Sequence, residues 1–330
     1  VAAGDKYINC DNQLTTEQAL RSIIREDANG QPFLKTNHSA VDIYISPYII
    51  NWYNLMTVKP SQGLLTALNT FADESYADGD FSEADYVLIS AGMETEEQAS
   101  TPLFHSGGIT PISKINEIPP DQVVTWSVNG FNRTDVNPVS MADTNFSPLN
   151  DSIKYTLNSA FVGVFSQIVE NSFSGTQPFH GCQSNPPDGL TFPTIRLSRL
   201  QTATLITNAS RSLNSNFATN TASSKAKTNG VTNTPIWYGC NRTASNQNKT
   251  FFNTVLSANS ISASLAIPSA NFGIFGEIYN DEAVPEIIIN PSTKKELLRS
   301  IIIGSGSILY SRIGARLNTF FVSRGLTAYT

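Results

Sequence analysis

Apolar residues recur along the chain in two rhythms, and the helical one dominates the first third. Thr15 and Gln18 have capping-box spacing ahead of Leu20, Ile23 and Ile24, which predicts a short helix ending at Asn29-Gly30. Val41, Ile43 and Ile45 alternate with polar residues as a strand does, up to Pro47. The dense cluster Tyr48, Ile49, Ile50, Trp52, Tyr53 and Leu55 reads as core. Leu64, Leu65, Leu68, Phe71 and Ala72 mark one face of a helix. Ser82 stands in capping register with Asp85, and Tyr86, Ile89 and Met93 continue that pattern as a second helix. Pro102–Leu149 is rich in turns, with strand-like islands at Val124, Trp126 and Val128.

The second half mixes both rhythms. Ile153, Leu157, Ala160, Phe161, Val164, Phe165, Ile168 and Val169 hold a helical period from Asp151 to Glu170, the most regular stripe in the chain. A further helix is predicted over Ile195–Leu213, and a long polar loop around Asn214–Asn233. Ile261, Ala263, Leu265 and Ile267 alternate as a strand; Phe275, Ile278 and Tyr279 suggest a second, and Ile287–Ile289 a buried third. At the end, Thr293 and Glu296 have capping spacing before Leu297, Leu298, Ile301 and Ile302. After Gly304 and Gly306, Leu309, Ile313, Leu317, Phe320 and Phe321 form an amphipathic helix, with Arg312 and Arg316 on its other side.

These elements predict an α+β fold of mixed helices and short strands with long polar loops; the alternative is a mainly β sandwich or jelly roll. The loop Gln177–Pro193 suggests an acidic α+β domain over 1–180 and an acid-poor one over 181–330 that carries the C-terminal amphipathic helix. A single large domain is the other arrangement this length allows.

Charge adds an asymmetry that the pattern alone does not show. Gly189–Gly276 contains no Asp or Glu, while Arg196, Arg199, Arg211, Lys225, Lys227, Arg242 and Lys249 make it basic. Val1–Asp188 is strongly acidic, although the whole chain carries only −6. Charged residues make up 15% of the 330 residues, and neutral Asn, Ser and Thr take their place, as on secreted, surface or virion proteins. Seven dilute bases without a basic run argue against direct nucleic-acid binding. No apolar run has the roughly 18 residues of a transmembrane segment, and the start at Val1 suggests a processed product.

Candidate chemistry is sparse. Between Lys59 and Lys114 no base occurs, so the acids from Asp73 to Glu97 have no local counter-charge. Within that segment Glu74, Asp78, Asp80 and Asp85 surround Gly79 as carboxylates around a tight turn, the arrangement a hard cation such as Ca²⁺ requires. Tyr76 stands where a further ligand belongs. The competing explanation is that acids are simply favoured in the first turn of a helix. No other cofactor is implied. Cys182 and Cys240 are candidates for a disulfide, leaving Cys10 over. Asn37, Asn132, Asn145, Asn150, Asn208, Asn241 and Asn248 each begin a glycosylation triplet, about as many as chance gives in so polar a chain. With His38, His105 and His180 as the only imidazoles, nothing places one beside a nucleophile, and no phosphate loop, nucleophile elbow or zinc-helix motif occurs.

The sequence therefore implies an extracellular, cell-surface or virion-type structural protein that self-associates, with itself or other subunits, into a coat, shell or filament through its oppositely charged halves. The alternative is a secreted hydrolase acting on a neutral polymer such as a polysaccharide.

Overall fold

The structure is a computed structural model that describes residues 24–26, 32–34, 44–116, 124–133, 140–168, 175–185, 194–202, 205–214, 225–227, 235–244, 248–260, 267–281, 286–291 and 296–329. Its first strands are β1 (Ile24–Glu26), β2 (Pro32–Leu34), β3 (Ala84–Ile89), β4 (Phe104–His105), β5 (Ser113–Asn116), β6 (Thr125–Ser127), β7 (Gly130–Arg133) and β8 (Ser140–Asp143). Then come β9 (Ala160–Ile168), β10 (Gly175–Asn185), β11 (Thr194–Thr202), β12 (Leu205–Asn214), β13 (Lys225–Lys227) and β14 (Ile236–Arg242). The last are β15 (Asn248–Phe252), β16 (Val255–Ser260), β17 (Gly273–Ile274), β18 (Gly276–Asp281), β19 (Glu286–Pro291) and β20 (Glu296–Gly304). Four helices accompany them among the described residues: α1 (Ile50–Leu55), α2 (Gln62–Ala77), α3 (Glu96–Ser100) and α4 (Tyr310–Ser323).

The protein is mostly β. A nine-stranded antiparallel sheet runs β16-β15-β14-β9-β20-β3-β4, with β7 also pairing β20 and β6. A six-stranded sheet runs β13-β12-β11-β10-β18-β19, in which only β10 and β18 are parallel. Smaller sheets join β17-β8-β5 and β1-β2. Strands from both sides of residue 180 interleave in the large sheet. The two large sheets meet at a buried contact, where His180 of β10 lies 3.2 Å from Glu296 of β20.

Four expected helices are strands. Of the stripe from Asp151 to Glu170, Asp151–Ser159 forms turns and bends and Ala160–Ile168 forms β9, which lies between β14 and β20, with Ala160–Ser166 buried on both faces. A central strand covered on both sides needs no alternation, so its apolar residues mimic a helical period. The same reason applies to β3, wholly buried where the second helix was expected, and to Leu297–Ile302 in β20. Ile195–Leu213 is a hairpin, with Ile195 opposite Leu213 and Leu197 opposite Arg211. Of the expected short helix ending at Asn29-Gly30, Ile24–Glu26 is instead strand β1, paired with β2. Of the strand expected from Ile261 to Ile267, Ile267 is in no strand. The remaining residues of both, and most of the polar loop, lie outside the described residues.

The helices α2 and α4 follow the expected stripes. Ser61 caps α2 by accepting from the Leu64 amide, and Leu64, Leu65, Leu68, Phe71 and Ala72 are buried. Phe71 meets Phe320 of α4 edge-on at 6.4 Å, and Phe321 meets Phe165 of β9 at 4.9 Å. Gly314 lets α4 lie directly on Trp237, whose indole N–H donates to the Tyr310 carbonyl at 2.8 Å.

Candidate functional site

The acidic turn after α2 is occupied by arginines of α4. Asp80, almost fully buried, accepts from Arg312 Nε at 2.6 Å and Nη2 at 2.8 Å, and from the Leu309 amide at 3.0 Å. Arg316 pairs with both Asp78 and Glu74. The hydrogen bond from Arg316 holds the Asp78 carboxyl below the usual carboxylate range, helped by the Arg316 and Arg312 charges. Farther along, Glu94 pairs with Arg324, Glu96 with Lys114, and Glu97 accepts from the Thr57 and Val58 amides. Asp85 stands apart, its carboxylate taken by three successive amides: Ile153 at 2.8 Å, Lys154 at 2.9 Å and Tyr155 at 2.5 Å. Glu74, Asp78 and Asp80 are thus brought together, and Asp85 is not. Among the described residues no group of three metal-ligating side chains assembles. These oxygens already have charge-assisted donors, which satisfies the demand a cation would meet.

Among the described residues, Glu74, Asp78, Asp80 and Glu94 pair with Arg312, Arg316 and Arg324 of the C-terminal tail, and Glu96 pairs with Lys114.

The cleft lies beside this turn. It has a volume of about 230 Å³ and is walled by Pro47, Tyr48, Asn51, Tyr76, Phe81, Ser82, Ala84, Asp85, Phe104, Ser106, Ile153 and Lys154. Four rings run in series along it. Tyr48 stacks on Tyr76 at 3.8 Å and 17°, Phe81 lies 6.1 Å from Tyr48, and Phe104 meets Phe81 edge-on at 5.9 Å. Burial pushes the Tyr48 phenol up, as does its hydrogen bond with Tyr76, so it stays neutral at physiological pH. Of the aromatic cluster read as core, Trp52 and Tyr53 are core, while Tyr48 turns to the cleft. Tyr76 continues the α2 stripe one turn beyond Ala72, past the end of the core, and is 43% exposed. Nothing in its spacing distinguishes it from a core residue; only its place at the end of α2, stacked on Tyr48, does.

The described imidazoles are structural. His105 Nδ1 accepts from the Gly107 amide at 3.0 Å, which leaves Nε2–H to donate to the Asn145 carbonyl at 3.1 Å. His180 Nδ1 accepts from the Phe275 amide at 3.3 Å, so Nε2 carries the proton towards Glu296. His38 and Cys10 lie outside the described residues. Cys182 of β10 and Cys240 of β14 are both fully buried thiols, not the disulfide expected from the sequence. Each is enclosed in the core, where packing holds it without a covalent bridge.

The glycosylation triplets divide by environment. Asn241 is buried and donates to the Gly306 and Ile308 carbonyls, and Asn145 donates to the Pro111 carbonyl and Ser113 hydroxyl. Asn150 is exposed in a turn, and Asn132 is half-buried on β7. Asn208 and Asn248 fall on β12 and β15, and Asn37 lies outside the described residues.

A mostly β protein of curled antiparallel sheets, with an aromatic cleft at the margin of the larger one, is the class these observations define. No family model matches the chain, and no characterised protein matches it by sequence. Solved structures of similar shape include the Trypanosoma rangeli sialidase in complex with sialic acid, at 11% identity and a TM-score of 0.38. That match covers 76% of this chain and 38% of the sialidase, so the chain spans well under half of that protein's length. Domain 4 of the GH43 extracellular arabinanase AbnA from Geobacillus stearothermophilus, in complex with arabinotriose, matches at 11% identity and a TM-score of 0.35. It covers 70% of this chain and 98% of that domain. The botulinum neurotoxin serotype C1 binding domain matches at 8% identity and a TM-score of 0.42, over 71% of this chain and 52% of its own. Among the described residues no helix is long and apolar enough to cross a membrane.

Proposed function

We propose that this chain is a carbohydrate-recognition domain of a secreted or surface-exposed protein, and that the cleft at Tyr48 and Tyr76 holds a sugar ring. The observation that carries this reading is the cleft itself: four aromatic rings in series, flanked by the neutral polar groups of Asn51, Ser82 and Ser106. Sugars present C–H faces that pack on aromatic rings and hydroxyls that need fixed polar partners, and both are provided within a few ångströms.

Recognition is favoured over hydrolysis by the state of the carboxylates. Glycoside hydrolysis needs two of them, about 5–9.5 Å apart across the bond to be cut. Among the described residues at the cleft, Asp85 is committed to three amides, and Asp73 beside it accepts from the Tyr44 hydroxyl at 2.8 Å.

A glycan array followed by calorimetry tests the reading. The chain should retain a defined class of glycan, and Tyr76→Ala should weaken that binding at least about tenfold, roughly 1.4 kcal/mol, while the melting temperature stays within about 2 °C. No retained glycan, or equal affinity in the Tyr76→Ala variant, would overturn it. Release of new reducing ends from a bound polysaccharide would favour the hydrolase instead.

A further inference from the structure

Ile153 lines the cleft yet is 71% exposed, the most exposed large apolar side chain among the described residues. Its backbone amide donates to the Asp85 carboxylate at 2.8 Å. Asp85, buried beneath it, receives the amides of Ile153, Lys154 and Tyr155 in turn. Behind this clamp Tyr155 is buried, so the segment is fixed from below while Ile153 projects outward. A β-branched residue is also stiff about χ1. The result is a fixed aliphatic lip on a cleft whose rings are Tyr48, Tyr76, Phe81 and Phe104.

An aliphatic lip and an aromatic wall make a poor environment for a hydroxyl, which would enter without a partner, and a good one for a methyl. Resting on the carbohydrate reading above, we infer that the cleft selects a sugar bearing a methyl group, as an acetamido or 6-deoxy substituent, and that Ile153 is the residue touching it. Asn51 remains for the ring hydroxyls, while Ser82 and Ser106, whose hydroxyls already donate to the Gly79 and Asp151 carbonyls, can accept from them.

The test uses the full chain and four probes, all free reducing sugars: N-acetylglucosamine and L-fucose, and their parents, glucose and L-galactose. Affinities come from titrations followed by NMR. One methyl-bearing sugar should bind about tenfold or more tightly than its parent, the range one buried methyl supplies in an apolar pocket. Which of the two does so identifies the acetamido or the deoxy group. Ile153→Ser, at a solvent-exposed position, should abolish that preference. Equal affinity for methyl-bearing and parent sugars, with Tyr76→Ala weakening all of them, overturns this inference and leaves the carbohydrate reading standing. So does a preference that survives Ile153→Ser. No binding of any probe, together with no glycan retained on the array, sinks both.

Discussion

Replacing Asp80 by Ala tests whether the acidic turn is a docking point for the C-terminal helix. The Asp80 side chain is 1% exposed and receives three donors, two from Arg312 and one from the Leu309 amide that begins α4. Removing one partner of a buried charge pair costs about 3–5 kcal/mol. The Arg312 side chain is 35% exposed and can turn partly to water, which places its share below that range, at about 2 kcal/mol. Leu309 supplies no side-chain cap of its own, so the lost amide contact adds about 1 kcal/mol. The expected loss is therefore about 3 kcal/mol. At an unfolding entropy of ~2.1 cal/mol/K per residue over 330 residues, that corresponds to a fall of about 4 °C in melting temperature. Urea unfolding of Asp80→Ala, Arg312→Ala and the double variant closes a cycle whose coupling should be about 1.5 kcal/mol or more. A loss below about 0.5 kcal/mol in Asp80→Ala, or strictly additive single variants, would refute the reasoning.

Gly314→Ala should destabilise by about 2 kcal/mol despite the better helix propensity of alanine. The new Cβ would stand 2.4 Å from Trp237 Cδ1, and the indole cannot retreat because Gly163 packs close against its other end. Chemical denaturation followed by Trp fluorescence reads the change. Asp78, whose pKa is lowered in the folded state, contributes stability above its unfolded value near 3.9 and loses it as pH falls through the folded one. Asp78→Asn should therefore lower stability at neutral pH and flatten the acid limb below about pH 4 in thermal melts. Secretion from a eukaryotic host followed by glycopeptide mass spectrometry should find Asn150 occupied and Asn145 and Asn241 bare. A glycan on Asn241 would contradict its burial and its two backbone partners.

Where one face of an element meets solvent, the pattern of the chain was enough. The stripe through Leu64, Leu65, Leu68, Phe71 and Ala72 became α2, with its Ser61 cap, and the stripe from Leu309 to Phe321 became α4. Strands at Trp126, at Ile278 and at Ile287–Ile289 were legible as well. The central strands were not. Being covered on both faces, β3, β9 and β20 carry no period that separates strand from helix, and capping-like triplets at Ser82 and Thr293 then tipped the reading the wrong way. The hairpin β11–β12 did leave a trace, since Ile195 and Leu197 alternate with Arg196 and Ser198, but only pairing to a neighbour turns such a run into a sheet.

Tertiary structure alone decided the fate of the charges and the cleft. A carboxylate-rich turn invites a cation when read by itself. Here its counter-ions, Arg312 and Arg316, arrive from more than two hundred residues away, because β20 returns the chain and leads it into α4. The cleft likewise draws Tyr48, Tyr76, Phe104 and Ile153 from four separate segments. Whether a given aromatic becomes core or wall depends on which distant segments pack against it, which spacing along the sequence does not encode.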